Sequence, residues 1–388
     1  MKKVKGLFTL VLAMTLILCA IPMNASAAEL KLVVDGKELV TDSPMIVENG
    51  VTLVPIKFIS DAFGAACVWN ATARTVTVTN TLHRIVLTIG STTYTVDGAT
   101  KTLQLAPRIQ GGRTMVPLRV IGEAFGAKVD YIAATKTANI SYFSNPALSG
   151  SIMISGSTTV QPIATAAADN LKKMNNHLSI SVAGTGSGAG IGDAMNGTVN
   201  IGMSSRELKA EEAAQLNEYV IAHDGVAIIV HNSNAVRNLT VDQIKKIFTG
   251  DIKNWNEVGG ANAPIIVYTR ESTSGTLAAL QDILGITVKD TATPTDSTGL
   301  MRSAVAAAAN GIGYISSGQI DSSVKALTVG NIAPSLGNIK SGTYPICRNL
   351  LLVTKGKPGE LAALFIDYLL SRDGQQVVVD EKYISVLD

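Results

Sequence analysis

Ser155-Gly-Ser-Thr-Thr-Val-Gln-Pro162 is a run of small, hydroxyl-bearing residues between a strand-like stretch, Ser151-Ile-Met-Ile154, and a helix-like one from Val160 to Met174 with Pro162 in its first turn. The composition returns at Gly184-Thr-Gly-Ser-Gly-Ala-Gly190 and at Arg270-Glu-Ser-Thr-Ser-Gly-Thr276, again after a strand-like run and before a helix-like one. The first turn of a helix leaves backbone N–H groups unpaired, glycine lets a ligand approach them, and Ser and Thr add hydroxyl donors. Three such turns, the last led by an arginine, predict a tetrahedral oxyanion held between them.

Outward from these turns the period keeps alternating. Strands are expected at Leu178 to Ala183, Val199 to Met203, Val226 to Val230, Pro264 to Tyr268, Ile312 to Ile315 and Asn349 to Thr354. Helices are expected at Gly190 to Asn196, Thr240 to Phe248, Gly275 to Leu284, Gly299 to Ala309 and Gly359 to Leu370. This order predicts an α/β fold with a mainly parallel sheet and ligands at the carboxyl ends of its strands.

Ordered signatures across residues 150–388 resemble the phosphate-binding proteins of high-affinity phosphate ABC importers. They are Gly156-Ser-Thr-Thr-Val-Gln-Pro162, Gly184-Thr-Gly-Ser-Gly188, Ile201-Gly-Met-Ser-Ser-Arg206, Asp224-Gly-Val-Ala227, Ile247-Phe-Thr-Gly250 with Asn254-Trp255, Arg270-Glu with Ser274-Gly-Thr276, Gly311-Ile-Gly-Tyr314 and Tyr344-Pro-Ile-Cys-Arg348. The resemblance implies a two-lobed, Venus-flytrap receptor of the periplasmic binding-protein type that needs no metal or other cofactor. It places ligand contacts on Thr158 and Thr159, on Ser187, and on Arg270, Ser274, Gly275 and Thr276. Three helix starts at about +0.5 each and one guanidinium sum to about +2.5, facing a phosphate near −2. Arg270 is then the only formal countercharge, and its duller reading is a surface residue paired with Glu271. Two chain crossings are expected, one soon after Val230 and one between Tyr314 and Lys325. Lobe one would hold 150–232 and 326–388, and lobe two 233–325.

Selectivity over sulfate wants a carboxylate acceptor, because hydrogen phosphate carries a proton that sulfate lacks. Many family members have an aspartate where this chain has Ser205, followed by Arg206. Asp224 is the candidate replacement, and a turn aspartate capping or pairing with Arg206 is its alternative. On the first reading, Asp224→Asn narrows the ratio of phosphate to sulfate affinity.

Enzyme signatures are missing. Neither Ser187 nor Ser274 lies in Gly-x-Ser-x-Gly, no Gly-x-Gly-x-x-Gly or P-loop occurs, and His177, His223 and His231 are scattered. Of these His223, beside Asp224, is the one to watch. Phe248 to Trp255 reads as packed lobe surface, with Trp255 alternatively facing a transporter.

The chain has 388 residues, 46% hydrophobic and 16% charged, enough for two or three globular domains. Residues 1–27 read as a secretory signal: Met1-Lys-Lys-Val-Lys5, an apolar run from Leu7 to Ile21 and Ala25-Ser-Ala27. Leu18 before Cys19 is larger than a lipidation signal wants, which argues against a lipid anchor. Removing that segment takes three lysines and leaves a net charge of about −1, so nucleic acid is not an implied partner. Cys67 and Cys347 are expected as unpaired, buried thiols. The expected location is the outer side of the cytoplasmic membrane, on the cell surface or beyond it.

Ahead of the receptor lies a duplication. Val51-Thr-Leu-Val-Pro-Ile-Lys-Phe-Ile-Ser-Asp-Ala-Phe-Gly-Ala65 matches Arg113-Thr-Met-Val-Pro-Leu-Arg-Val-Ile-Gly-Glu-Ala-Phe-Gly-Ala127, offset by 62. In each copy Val-Pro leads into a short amphipathic helix stopped by Phe-Gly, among strands such as Leu30 to Val34, Thr75 to Val78 and Ile85 to Ile89. Residues 28–142 thus form a small duplicated β-rich α+β domain, and 143–150 a turn-forming linker. The domain resembles the copper amine oxidase N-terminal-like domain of exported bacterial proteins. His83 is its single histidine, and a copper site wants several imidazoles, so the resemblance carries no metal here. The expected partners are inorganic phosphate, an ABC permease and a cell-envelope partner of the duplicated domain. The alternatives are a surface or adhesion module, a receptor for another tetrahedral oxyanion and, lacking metal clusters and an activated nucleophile, an exported phosphate-ester hydrolase.

Overall fold

The computed structural model describes residues 30–387, and the expected secretory segment lies outside them. In the duplicated module the two copies pair with each other. Val51–Pro55 runs antiparallel to Arg113–Pro117, with Val54 opposite Val116, in a four-stranded sheet completed by Ile46–Glu48 and Arg108–Gln110. Pro55 and Pro117 hold φ −64° and −61° and start the helices Ile56–Ala62 and Leu118–Ala124, which end at Phe63-Gly64 and Phe125-Gly126 as the motif predicts. A five-stranded antiparallel meander runs from Ala66–Asn70 to Ala99–Thr102, and a third sheet pairs the first strand, Lys31–Val34, with Thr137–Ser141. His83 is partly exposed and bonded through Nδ1 to Asp97 Oδ2 at 2.7 Å.

The module is packed on the receptor, not tethered to it. The linker expected at 143–150 is held down: Phe143 is buried, and Asn175 Nδ2 donates to the carbonyls of Asn145 and Leu148 at 2.8 Å each. Phe63, Tyr142, Phe143 and Tyr368 stack in a chain across the junction with ring centroids 4.6 to 5.2 Å apart, and one apolar cluster runs from the module into the receptor. Gly64, at φ +67°, presses on helix Glu360–Leu370 so closely that a Cβ would lie 1.9 Å from the Asp367 carbonyl oxygen.

The same helix supplies Asp367, buried at the junction. Its carboxylate accepts from Thr81 N at 2.9 Å and Thr81 Oγ1 at 2.5 Å, from Asn80 Nδ2 at 3.0 Å and from Tyr142 Oη at 2.6 Å. Burial nevertheless pushes the carboxyl up from 3.8 to about 6. A folded value above the unfolded one contributes stability that is full below 3.8 and is lost as pH rises through about 6. Asp35, also raised by burial, acts in the same direction. Unfolding free energy is therefore expected to increase by roughly 1 kcal/mol from about pH 7 to about pH 5, with Asp367→Asn flattening that slope in thermal melts. An equal slope in the variant would contradict the assignment.

Residues 150–387 wrap helices around one large sheet of nine strands. Its order is Leu178–Gly184, Gly150–Gly156, Ile201–Ser204, Cys347–Lys355, Leu216–His231, Gly311–Ser316, Ile266–Arg270 and Thr293–Thr295, with Val324–Ala326 paired to the side of Leu216–His231. The outer pairs are parallel, as the alternation implies. The central ones are antiparallel, because Leu216–His231 and Cys347–Lys355 carry the chain out of one lobe and back.

The crossing points differ from those expected. Ala222 and Leu350 pack in the first apolar cluster and Val226 and Ile346 in the second, so the chain changes lobe near Asp224 and near Arg348, not after Val230 and between 314 and 325. Residues 326–346 go with the second lobe. Leu216–His231 is assigned as a single strand of 16 residues, with a register shift between Val220 and Ala222, and it exchanges its partner strand midway, so no turn or proline marks the crossing.

Trp255 is buried and its Nε1 donates to the Asn310 carbonyl at 3.0 Å, which makes it core, not a transporter-facing residue. Cys67 and Cys347 are free and half-buried, and burial pushes both thiols up. Among the described residues no helix is long and apolar enough to cross a membrane.

Candidate anion-binding site

Each glycine- and hydroxyl-rich turn does open a helix. In the first, Ser157 Oγ accepts from the amides of Thr159 and Val160 at 3.2 and 3.4 Å, just ahead of Gln161–Met174. The second, with Gly186 as its cap, starts Ser187–Asn196. In the third, Ser274 Oγ accepts from Leu277 N at 3.3 Å and caps Gly275–Leu284, which leaves the earlier amides of Gly275 and Thr276 at the open end. A fourth start, absent from the sequence reading, is built the same way: Ser297 Oγ accepts from Leu300 N at 3.1 Å and opens Thr298–Ala307.

These starts face one another across the two lobes. Thr158 Oγ1 lies 3.3 Å from Thr298 Oγ1, and Thr159 Oγ1 lies 3.3 Å from Thr276 Oγ1 and 3.5 Å from Thr298 Oγ1. Ser187 Oγ lies 3.3 Å from Ser205 Oγ and accepts from Ser205 N at 3.1 Å. Gly188 N reaches across to the Thr273 carbonyl at 2.8 Å. A Cβ on Gly275 would stand 2.1 Å from Ser187 Oγ and 2.8 Å from Ser205 Oγ, so the lobes meet there with no room for a side chain. Thr159, Ser187, Ser205, Ser274, Thr276 and Thr298 are all buried, and Thr158 is half-buried.

Two guanidiniums enter this cluster, where the sequence indicated one. Arg270, 3% exposed, donates from Nη1 to Thr298 Oγ1 at 3.2 Å and from Nη2 to Thr158 Oγ1 at 3.3 Å. It also meets Glu271 fork to fork, with both contacts at 2.8 Å. The pairing with Glu271 is therefore real, but Arg270 is not a surface residue. Tyr314 Oη accepts from Arg270 N at 3.1 Å and bonds Thr269 Oγ1 at 2.9 Å, and burial pushes this phenol up to about 12.

Arg348 approaches from the other side. Its Nη2 donates to Thr159 Oγ1 at 3.4 Å and its Nη1 to the Ser205 carbonyl at 3.1 Å.

Asp224 stands behind Arg348. Its Oδ2 accepts from Arg348 Nε and Nη2 at 3.0 and 2.8 Å, and its Oδ1 from Ser316 Oγ, Ser317 Oγ and Ser317 N at 2.9 to 3.2 Å. Both oxygens are thus engaged, and Asp224 orients a guanidinium. Neither sequence reading foresaw this, since Arg206 pairs instead with Glu212 through two contacts of 2.7 Å.

Tyr383 ties the first turn to the hinge. Its hydroxyl donates to the Thr159 carbonyl at 3.0 Å and lies 3.2 Å from Ser316 Oγ, whose proton goes to Asp224.

The electrostatics change accordingly. Each guanidinium has its own carboxylate, so four helix starts, about +2 in sum, supply most of the net positive field. Such a set can hold and orient an anion. Among the described residues no three His, Cys, Asp or Glu cluster as a metal site would need. His223 and His231 bond Asn349 and Ser233, away from these hydroxyls. A cleft of about 670 Å³ lies elsewhere, between the module and helix Arg372–Asp380, and none of the anion-site residues lines it.

Eight of the nine residues picked from the sequence meet at this cluster and Asp224 lies one layer behind it. Thr298 and Arg348 were missed. Thr298 carried a readable signal, since Ser297-Thr-Gly299 before a helix repeats the hydroxyl-glycine pattern of the other turns. Arg348 fell inside a quoted motif but showed no role, because its partner lies 124 positions away.

Comparison with known proteins accounts for both parts of the chain. Residues 141–373 match the PBP superfamily domain and residues 33–140 the copper amine oxidase N-terminal domain. The phosphate-binding protein PstS of Bacillus subtilis is 36% identical over 250 residues, 62% of this chain and 82% of that protein. A solved structure of a putative phosphate ABC transporter substrate-binding protein with bound phosphate, from Clostridium perfringens, is 42% identical with a TM-score of 0.60 and covers 61% of this chain and 100% of its own. An ABC-type phosphate transport receptor from Vibrio cholerae is 34% identical with a TM-score of 0.54, over 61% of this chain and 100% of its own. By the extent of these matches, the chain belongs to the phosphate-binding proteins of the PBP superfamily and carries a copper amine oxidase N-terminal domain ahead of its receptor part.

Proposed function

We propose that this protein captures inorganic phosphate outside the cytoplasmic membrane and hands it to an ABC permease. The observation that carries the reading is the meeting of hydroxyls from both lobes, Thr158, Thr159, Ser187 and Ser205 with Thr276 and Thr298, around two buried guanidiniums. Lobe one is taken as 150–224 and 347–387, and lobe two as 225–346. Phosphate bridging the turns adds contacts that exist only when the lobes are closed, and so shifts the hinge toward the form a permease recognises. The duplicated module rides on lobe one, so closure moves lobe two against a fixed body. Among the described residues no metal-ligand cluster is present and no imidazole bonds a hydroxyl of the site, and on this reading the bound anion leaves unchanged.

Calorimetry of residues 28–388 with inorganic phosphate tests this reading. Saturable binding of one phosphate per chain is the expected result. Absence of heat at millimolar phosphate, or steady release of phosphate from a generic ester, would contradict it.

A further inference from the structure

A backbone amide faces an anion only where the carbonyl of the same peptide unit points the other way, and that carbonyl then needs a donor of its own. In the first turn both carbonyls have one. Tyr383 Oη donates to the Thr159 carbonyl at 3.0 Å and Gln319 Nε2 to the Thr158 carbonyl at 3.3 Å. The amides of those two peptide units are Thr159 N and Val160 N, which share Ser157 Oγ at 3.2 and 3.4 Å. Without its donor either unit is free to turn over and set an oxygen, not an N–H, toward the anion.

The two donors come from different lobes. Tyr383 packs in the apolar cluster of lobe one, as Val160 does, whereas Gln319 ends the short turn Ser317–Gln319 and its neighbour Ile320 packs against the cluster of lobe two. That turn is fixed on three sides. Ser316 and Ser317 bond Asp224 at the lobe crossing, and Arg302, on the helix that Thr298 begins, donates from Nη1 to the Gln319 carbonyl at 2.9 Å. Gly318 lies so close to the Tyr383 ring that a Cβ would stand 2.8 Å from Cζ. The backbone of Gln319 is thus held by lobe two while its side chain reaches the phosphate turn of lobe one, in a contact of which the anion is no part.

From this we infer that Gln319 is a positioning residue for the anion: it takes the Thr158 carbonyl as the lobes come together and, with Tyr383, keeps the amides of the first turn aimed at the ligand. The inference rests on the phosphate reading above and deepens it. Removing the Gln319 donor leaves the Thr158 carbonyl unpaired and its peptide plane loose, an effect of roughly 5- to 150-fold in affinity. Encounter begins from the open form, before the lobes meet, so the loss belongs to the dissociation rate.

The test is stopped-flow kinetics of inorganic phosphate on residues 28–388. Gln319→Leu, close in length but without a donor, is expected to raise the dissociation rate by about 10-fold or more and to leave the association rate within about 2-fold. Native dissociation in that variant, or a loss carried by association, overturns the inference and leaves the phosphate reading intact. If the native protein binds no phosphate, both fail. Gln319→Glu gives a second reading, because a protonated carboxyl donates to the Thr158 carbonyl and an ionised one does not. Its dissociation rate, divided by that of the native protein at the same pH, is expected to be near unity at about pH 4 and to climb toward about pH 7 as the carboxyl ionises. A side chain that merely filled space would give a ratio independent of pH, and that result also overturns the inference.

Discussion

Arg270→Ala is expected to weaken phosphate binding by about 3 kcal/mol or more, roughly 150-fold in Kd. Two effects add. The variant loses a planar donor that reaches Thr158 in one lobe and Thr298 in the other, so it removes both countercharge and a cross-lobe brace. It also strands the carboxylate of Glu271, which now points its charge into a pocket meant for an anion. The second effect is separable. Arg270→Ala combined with Glu271→Gln should recover part of the loss, and the difference between single and double variants measures the repulsion. Near-native affinity in Arg270→Ala would contradict the placement of this guanidinium at the ligand.

Gly275→Ala is expected to hold the lobes apart. The added Cβ falls 2.1 Å from Ser187 Oγ and 2.7 Å from Ser187 Cβ, a helix of one lobe against a turn of the other, and neither backbone can yield within a closed cleft. Because the overlap exists only on closure, the unliganded variant should melt like the native protein. Its phosphate affinity should drop by on the order of 100-fold, as overpacking strains the closed state alone. Small-angle scattering at saturating phosphate should still give the profile of the open form. A variant that compacts on adding phosphate as the native protein does would show that the lobes close in some other way.

Much of this site was legible because its logic is local. A hydroxyl, a glycine and a following helix announce an open helix end wherever they occur, and the turns that hold Thr158, Ser187 and Ser274 were found by that rule, the individual residues by the family resemblance. Thr298 obeyed it too and could have been found. Arg348 and Asp224 obey a different logic. They are directly opposed in antiparallel register where two strands cross between the lobes, and register across 124 positions leaves no trace in either neighbourhood. The change of lobe in the middle of Leu216–His231 was hidden for a related reason, since a strand that exchanges partners midway still reads as continuous β character in the sequence.

The junction is intermediate between these cases. The helices after Val-Pro and their Phe-Gly stops were plain in the repeat. Asp367, an acid toward the far end of the helix from its acidic first residue Glu360 and set among apolar neighbours, was a visible anomaly in the sequence of Glu360–Leu370. Its partners Asn80, Thr81 and Tyr142 could only be assigned once the module was seated on that helix.

The crystal structure of residues 28–388 with phosphate tests the central claim most directly. The account predicts one phosphate held at once by the hydroxyl turn of Thr158 and Thr159, the helix starts at Ser187 and Gly275, and the Arg270 guanidinium, with ligands from both lobes. A phosphate bound by one lobe alone, or at a place that none of these residues touches, would contradict it.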